Sequence, residues 1–232
     1  MAKKTRNAKS VEIRPIKLAT LKMSVVGDSP LIIHNFSAKA QAQMMAAQSK
    51  VAWPKEAKNP EHQYEFATYY IDDKNRQIEC KAPLSLIAEG KVNVFLEEHL
   101  DFIGNLKKIK NPHFGFPAVG FKAAAIRGAK ELGLVMTDMR GAFHIPVEFV
   151  EIEGERSMRS DMVRISHSTS DIRLRPEFKD WKASFDIVYN RRSVTPDILF
   201  NMFNVGGFCC GIGEWRPSKG GDKGMFHVAS SD

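Results

Sequence analysis

The sequence has 232 residues, 43% of them hydrophobic and 26% charged, which is enough to bury a sizeable core in one domain or in one domain with an insertion. No apolar run approaches the roughly 18 residues that span a bilayer, and the basic N-terminus lacks the apolar centre of a signal peptide, so we expect neither a membrane protein nor a secreted one. Three cysteines without a CxxC pair exclude the usual zinc motifs, and we expect no metal, no cofactor and a reducing, cytoplasmic setting.

The formal net charge of +7 suggests a polyanionic partner, but most of it lies at one end of the chain. Seven basic residues within the first 22 face a single acid, Glu12, so residues 23–232 carry a net charge of only +1. Residues 1–14 have no periodicity, which predicts a disordered basic arm that either touches a phosphate backbone or only keeps the protein in solution. A nucleic-acid site in the folded part must therefore rest on local clusters of charge.

The first predicted element is a β-strand. Apolar and polar residues alternate from 16 to 26, and the turn residues 27–30 close the run. Residues 31–34 either continue this strand or pair beside it. Ser37 then predicts the N-cap of a helix that runs to about Lys50.

The next segment predicts an elaboration on the core. Residues 64–81 have the composition of a β-hairpin, with its turn at 72–75, and a helix is predicted around 93–102. We interpret residues 35–110 as inserted into a single domain that spans 15–229.

A third helix is predicted from Pro117 to Leu132. Phe121, Ala125 and Ala129 fall on one face at helical spacing. Three cations lie within an arc of about 140° on the other side: Lys122, Arg127 and Lys130. They are either a solvated helix face or part of a phosphate-binding surface.

An arginine-rich stretch follows a predicted strand at 144–152 and a turn at 153–155. Residues 156–175 are too polar for a core and predict a long loop or hairpin. Arginine's planar guanidinium suits phosphate and base edges. The candidate nucleic-acid ligands in this stretch are Arg159, Arg164, Arg173 and Arg175. The alternative is that they form salt bridges to Asp161 and Asp171.

The last part of the chain predicts a strand, a helix, a loop and a strand. Residues 181–189 alternate strictly between apolar and polar. Thr195 and Pro196 open a short helix with an apolar face, which Gly206 is predicted to end. Residues 225–228 are the closing strand.

Between that helix and the closing strand lies a glycine-rich stretch that predicts the main binding site. Bare backbone N–H groups can hold an anion, and a tryptophan can stack on a base. It is no Walker loop, because Lys223 is followed by Gly224 and a strand instead of by Ser or Thr and a helix. The candidate residues are Gly211, Gly213, Trp215, Arg216, Lys219, Gly220, Gly221, Lys223 and Gly224. The alternative is a connection that needs several left-handed residues.

The element order is that of an α+β fold with a ferredoxin-like or RRM-like βαββαβ core, an inserted helical and hairpin elaboration, and a C-terminal glycine-rich loop. The residues from Pro117 to Arg127 resemble the P-G-S-S-x-K-G-A-x-R entry of the RAMP (repeat-associated mysterious protein) superfamily, matching at Pro117, Lys122 and, with a shift of one residue, Arg127. Gly211-Ile212-Gly213 through Gly224 resembles the family's C-terminal glycine loop. In addition, the GIGEWRP ending and the SPLIIH opening resemble uncharacterised proteins of tailed bacteriophages, which would place the chain in the host cytoplasm.

The RAMP resemblance implies an RRM-like CRISPR-associated protein that binds single-stranded nucleic acid, usually RNA, as a homo-oligomer or within a multi-subunit complex. Two alternatives stay open. One is a phage recombination or assembly protein without catalysis. The other is a metal-independent endoribonuclease, for which the candidate bases are His34, His144, His167 and His227.

Overall fold

A computed structural model describes residues 15–55, 57–164, 167 and 169–229. The predicted arm at 1–14 lies outside these residues. The described strands are β1 (Leu18–Gly27), β2 (Leu31–Ile32), β3 (Tyr70–Ile71), β4 (His113–Pro117), β5 (Phe143–His144), β6 (Phe149–Glu151), β7 (Glu153–Arg164), β8 (Ser170–Asn190) and β9 (Phe226–Val228). The described helices are α1 (Ala38–Gln48), α2 (Pro60–Phe66), α3 (Ser85–Ala88), α4 (Val92–Leu106), α5 (Ala118–Glu131), α6 (Met136–Ala142) and α7 (Pro196–Cys209). The fold is therefore α+β with antiparallel sheets, as the sequence predicts.

The 21-residue strand β8 is the centre of the larger sheet. In its second half, Val188 pairs with Thr20 of β1 on one side and with His144 of β5 on the other. Strand β9 pairs with the outer edge of β1, so this end of the sheet has the order β5–β8–β1–β9. In its first half, β8 pairs with β7 and, on the opposite side, with β2.

The alternation of buried and exposed residues along β8 shows which face of the larger sheet is covered. Trp181, Phe185 and Ile187 are buried in the main core, together with apolar residues of α5 and α7. The residues that point to the opposite face, Lys182, Ser184 and Asp186, are exposed. Helices α5 and α7 therefore cover one face of the sheet, and the other face is open.

Residues 33–112 hold α1 to α4 and β3, and part of this segment has a small core of its own. Ala42 and Ala46 of α1 pack there with Ile87 and Phe95. Strands β3, β4 and β6 form a separate antiparallel sheet. No helix of the described residues is long and apolar enough to cross a membrane.

Several predicted elements differ from the observed ones. Residues 64–66 end a helix instead of opening a strand, because Asn59 caps it and Pro60 occupies its first turn. Gly206 does not end α7, which continues to Cys209. The strand predicted at 144–152 is split into β5 and β6, which belong to different sheets.

Candidate nucleic-acid interface

The glycine loop, defined here as residues 210–225, is folded on itself and fixed to the sheet. The amide of Ile212 donates to the carbonyl of Gly224 at 2.9 Å, and that of Lys223 donates to the carbonyl of Trp215 at 2.9 Å. The amide of Glu214 donates to the carbonyl of Ile32 in β2 at 2.8 Å. The loop is thus a fixed structure at the edge of the larger sheet.

Most amides of the glycine loop are already used within the protein. Those that donate to a backbone carbonyl or, for Met225, to the Ser29 hydroxyl belong to Cys210, Gly211, Ile212, Glu214, Ser218, Lys219, Gly220, Gly221, Lys223, Gly224 and Met225. A donated N–H group is not available to an anion. The predicted anion cradle consists of the loop N–H groups from Gly211 to Gly224, and five of these, those of Gly211, Gly220, Gly221, Lys223 and Gly224, are therefore occupied within the protein.

The glycines are explained by close approach of the backbone. A Cβ atom on Gly221 would lie 1.8 Å from the carbonyl oxygen of Trp215, and one on Gly224 would lie 1.9 Å from that of Ile212. Gly213 has φ of 77°, and a Cβ atom on it would lie 2.4 Å from the carbonyl oxygen of Ile32. Any side chain at these positions would push the loop apart. The alternative interpretation, a tight connection with left-handed residues, accounts for these three glycines.

What the loop presents to solvent is side chains. Trp215 is 47% exposed and sits at φ of 56°, an unusual conformation that the surrounding hydrogen bonds maintain. Lys219 is exposed, with no ion pair among the described residues. Arg216 is turned inward and donates from Nη1 to the carbonyl of Gly213 at 2.6 Å. Lys223 lies 3.4 Å from a carboxylate oxygen of Asp222.

The arginines of β7 and β8 are mostly engaged in ion pairs. Arg159 donates from Nε to Asp161 at 2.8 Å and from Nη1 to Glu177 at 2.9 Å. Arg175 is only 4% exposed and lies 3.6 Å from the buried Asp161. The prediction that Arg175 contacts a phosphate is therefore wrong, because a buried guanidinium is not accessible.

Two of the arginines stay near the surface. Arg173 lies 3.9 Å from a carboxylate oxygen of Asp171, a pair too long and too exposed to bind it firmly. Arg164 is exposed at the end of β7. The salt bridges offered as the alternative are therefore formed by Arg159 and Arg175 to Asp161, and only weakly by Arg173 to Asp171.

The three cations of α5 have different surroundings. Lys122 Nζ lies 3.2 Å from Nδ1 of His144 and 5.5 Å from the ring centre of Phe143, and its partial burial lowers the pKa of its ammonium group. Arg127 lies 3.9 Å from Glu131, and Lys130 is exposed. None of the three bonds to the glycine loop or to β7 and β8 within the described residues. The structure therefore does not join them to the other candidates.

His34 follows β2, the strand that is hydrogen-bonded both to the glycine loop and to β8. Partial burial and the charges of Arg175 and Arg173 lower the pKa of its ring, and the nearby carboxylate of Glu214 opposes that shift. Two regions that are far apart in sequence are thus close in space. Glu214 is not among the predicted residues, and its only signal in the sequence is its place between Gly213 and Trp215.

The other candidate histidines lie on separate elements. His227 Nδ1 is 2.6 Å from a carboxylate oxygen of Asp28, and His144 is next to Lys122. His167 is exposed between β7 and β8. No group of three or more His, Cys, Asp or Glu in the described residues could hold a metal ion.

No protein-family model and no curated protein matches the sequence. The resemblances drawn from its motifs are therefore not supported by a family match. Among solved structures, the crystal structure of Cmr6 from Pyrococcus furiosus is similar, with a TM-score of 0.34 and 10% identity, over 93% of this chain and 100% of that one. At this score the similarity supports no inference about mechanism.

Proposed function

We propose that this protein binds single-stranded nucleic acid, RNA in the first place, at the glycine loop and the neighbouring strands β2 and β8, and that it is a RAMP-like protein with a ferredoxin-like core. The order β5–β8–β1–β9 supports the core assignment. It corresponds to strands 2, 3, 1 and 4 of a βαββαβ unit, with α5 and α7 as its two helices.

The observation that carries the binding proposal is Trp215. An indole half exposed on a loop held by its own hydrogen bonds is a preformed stacking platform, and stacking on it requires no ordering of the loop. The exposed ammonium of Lys219 lies in the same loop and supplies a phosphate contact. Arg173, beside His34, extends the cationic surface along β8.

The open face of the sheet makes a different contribution from that in an RRM. RRM domains stack bases on aromatic residues in their strands. Here the described residues on the open face of β1 and of the second half of β8 include no Phe, Tyr or Trp, and Lys22, Ser24 and Lys182 are typical of them. Stacking is therefore assigned to the loop, and the open face contributes contacts other than aromatic stacking.

Fluorescence anisotropy with labelled 30-mers of single-stranded RNA, single-stranded DNA and duplex DNA tests the proposal. We expect single strands to bind at low salt, and affinity to fall steeply as salt rises, because phosphate contacts release counterions. Trp215→Ala should weaken binding at least about tenfold, since base stacking contributes roughly 1–3 kcal/mol. Trp215→Phe keeps a stacking face and should retain most of the affinity.

A matched pair of lysine variants tests the contribution of charge to binding. Lys219→Glu should weaken single-strand binding, whereas Lys74→Glu, an equally exposed lysine in the turn after β3, should not. Thermal unfolding of each variant shows whether a loss of binding is accompanied by a loss of stability. Absence of binding to every strand at low salt, or equal losses for both lysine variants, would refute the proposal.

An assembly role is a second candidate, favoured by a different observation. Met162 and Ile172 are paired across β7 and β8 and are 75% and 59% exposed, and Met158 on the same face is 45% exposed. Apolar side chains grouped in this way are typical of protein contacts. If they mediate self-association, light scattering should show a larger particle for the parent protein than for Met162→Asp.

A further inference from the structure

A groove of about 670 Å³ lies between α1, α2, α4 and a segment that contains Trp53, Pro54 and residues 57–59, and it adjoins the surface described above at His34. Its volume falls in the range of small-molecule sites. Apolar and aromatic side chains form much of its wall, among them Trp53, Phe66 and Leu100. A smaller cavity of about 100 Å³ lies next to it, and His99 lines both.

His99 is the unusual residue of this groove. It is 2% exposed, and neither of its ring nitrogens has a hydrogen-bond partner in the described part of the chain. Its ring stacks on Phe66, with centroids 4.1 Å apart and planes inclined by 13°, and Phe95 lies nearly parallel at 5.8 Å. Stacking uses the faces of a ring, so the edge with its two nitrogens is left for another partner. Buried polar groups are nearly always paired, which makes this one a signal for a ligand.

The polar lining of the groove indicates what kind of ligand it suits. Burial keeps the imidazole of His99 neutral, because it lowers the pKa of the ring to about 4. A neutral imidazole offers one N–H donor and one acceptor at the same time. The amide side chains of Asn35, Gln43 and Gln63 also line the groove.

The accessible charge of the groove is that of Lys58. Among the described lining residues, the Lys and Asp side chains are those of Lys39, Lys58 and Asp171. Lys58 forms an ion pair with Asp171, and its side chain is 63% exposed. An exposed lysine is a common phosphate ligand.

We propose that this groove binds a nucleotide, with the edge of its base at His99 and its phosphate toward Lys39 and Lys58. The edges of nucleobases carry donors and acceptors side by side, which a neutral imidazole and amide groups can match. Their flat faces suit a wall of aromatic and aliphatic side chains. The site is separate from Trp215 and does not depend on it. The chemistry is the same for a free nucleotide and for a nucleotide within a strand.

Calorimetric titration of the full chain with AMP, GMP, CMP and UMP tests the site directly. We expect at least one of them to bind with a millimolar or lower dissociation constant, and His99→Phe to weaken it at least about tenfold. Phenylalanine keeps the stacking on Phe66 and removes only the polar edge. Circular dichroism checks that this variant is folded. Failure of all four nucleotides to bind, or equal binding by His99→Phe, would overturn the proposal.

A second variant keeps the test valid if His99→Phe does not fold. Lys58→Gln changes an exposed side chain, and we expect it to weaken binding of the preferred nucleotide but not of the corresponding nucleoside. Equal affinity of Lys58→Gln and the parent protein for the nucleotide would count against the phosphate assignment.

Two further measurements are informative. One distinguishes a free nucleotide from a nucleotide within a strand, and the other distinguishes the groove from the site at Trp215. If the nucleotide belongs to a strand, His99→Phe also lowers the affinity for a single-stranded 30-mer; if it is free, the 30-mer binds unchanged. Trp215→Ala should leave mononucleotide binding intact in both cases. Loss of mononucleotide binding in Trp215→Ala would show that the groove is not a separate site.

Discussion

Gly128 and Gly206 meet where α5 crosses α7. A Cβ atom on Gly128 would lie 2.6 Å from the backbone nitrogen of Gly206 and 2.2 Å from the carbonyl oxygen of Met202. A Cβ atom on Gly206 would in turn lie 2.1 Å from the carbonyl oxygen of Ala124. The two helix backbones are therefore in direct contact, and the close approach of α5 and α7 depends on both glycines.

Gly206→Ala should destabilise the protein by about 3 kcal/mol or more, because the new methyl group meets backbone that cannot move without separating the helices. Gly104→Ala is the matched control. That glycine lies within α4, and no atom lies within 4 Å of a Cβ built on it, so the substitution should stabilise by about 0.5–1 kcal/mol. Urea unfolding of both variants measures the difference, and equal effects would contradict this account of the crossing.

Arg156→Ala should cost about 3–5 kcal/mol, because it leaves the carboxylate of Glu65 buried without its partner. The guanidinium donates to Glu65 at 3.1 Å, and both side chains are mostly buried. It also lies 4.6 Å from the ring centre of Tyr64 and 4.5 Å from that of Phe114, so β7 is joined to α2 and to the smaller sheet at this point.

The control for Arg156 is Arg76→Ala. Arg76 pairs with Asp72 at 2.7 Å, but its side chain is 65% exposed, so its loss should cost at most about 1 kcal/mol. Denaturant unfolding of the two alanine variants compares a buried pair with a solvated one. A small loss for Arg156→Ala would mean that Glu65 finds another partner.

Gly221→Ala should reduce single-strand binding about as much as Trp215→Ala does. Its methyl group would collide with the carbonyl of Trp215, so the loop must shift and carry the indole with it. Gly220→Ala is the neighbouring control, since it has open space around its Cβ and carries only the cost of its positive φ, about 1 kcal/mol. Anisotropy titrations compare the two variants. Unchanged binding by Gly221→Ala would mean that binding does not depend on the geometry of the loop.

Elements defined by local chemistry could be predicted from the sequence. The side chain of Ser37 accepts from the amide of Ala40 and opens α1, and Thr195 does the same for α7. Asp72 accepts from two amides of its own turn. The alternation in β1 and in the second half of β8 is visible because each has one buried face.

Features that depend on distant partners could not be predicted. The first half of β8 does not continue the alternation, because Asp180 adopts a left-handed conformation where the register with β7 shifts. Whether an arginine is free or paired depends on acids that the fold brings to it, as Asp161 is brought to Arg175. For His99 a signal does exist, since it shares helical spacing with the buried Phe95 and Ile103 of α4.

His99 also predicts how stability depends on pH. In the folded protein its pKa is lowered to about 4 by burial and, to a smaller extent, by the charges of Lys39 and His62, whereas in the unfolded chain it returns to about 6.5. As pH falls from 7 toward 4, the unfolded chain therefore takes up the proton first, and the folded state loses up to about 3 kcal/mol.

His99→Phe removes the titrating imidazole, so the free energy of unfolding should depend on pH differently in the variant and in the parent protein. At pH 7 the variant should already be more stable, because two unpartnered nitrogens no longer lie in the interior, each of which costs about 1–3 kcal/mol. Its advantage should then widen by up to about 3 kcal/mol toward pH 4. His113, whose pKa is raised by Glu151, titrates in both proteins and cancels in the difference. Urea unfolding of both at several pH values gives the difference, and parallel profiles would mean that His99 titrates as it does in the unfolded chain.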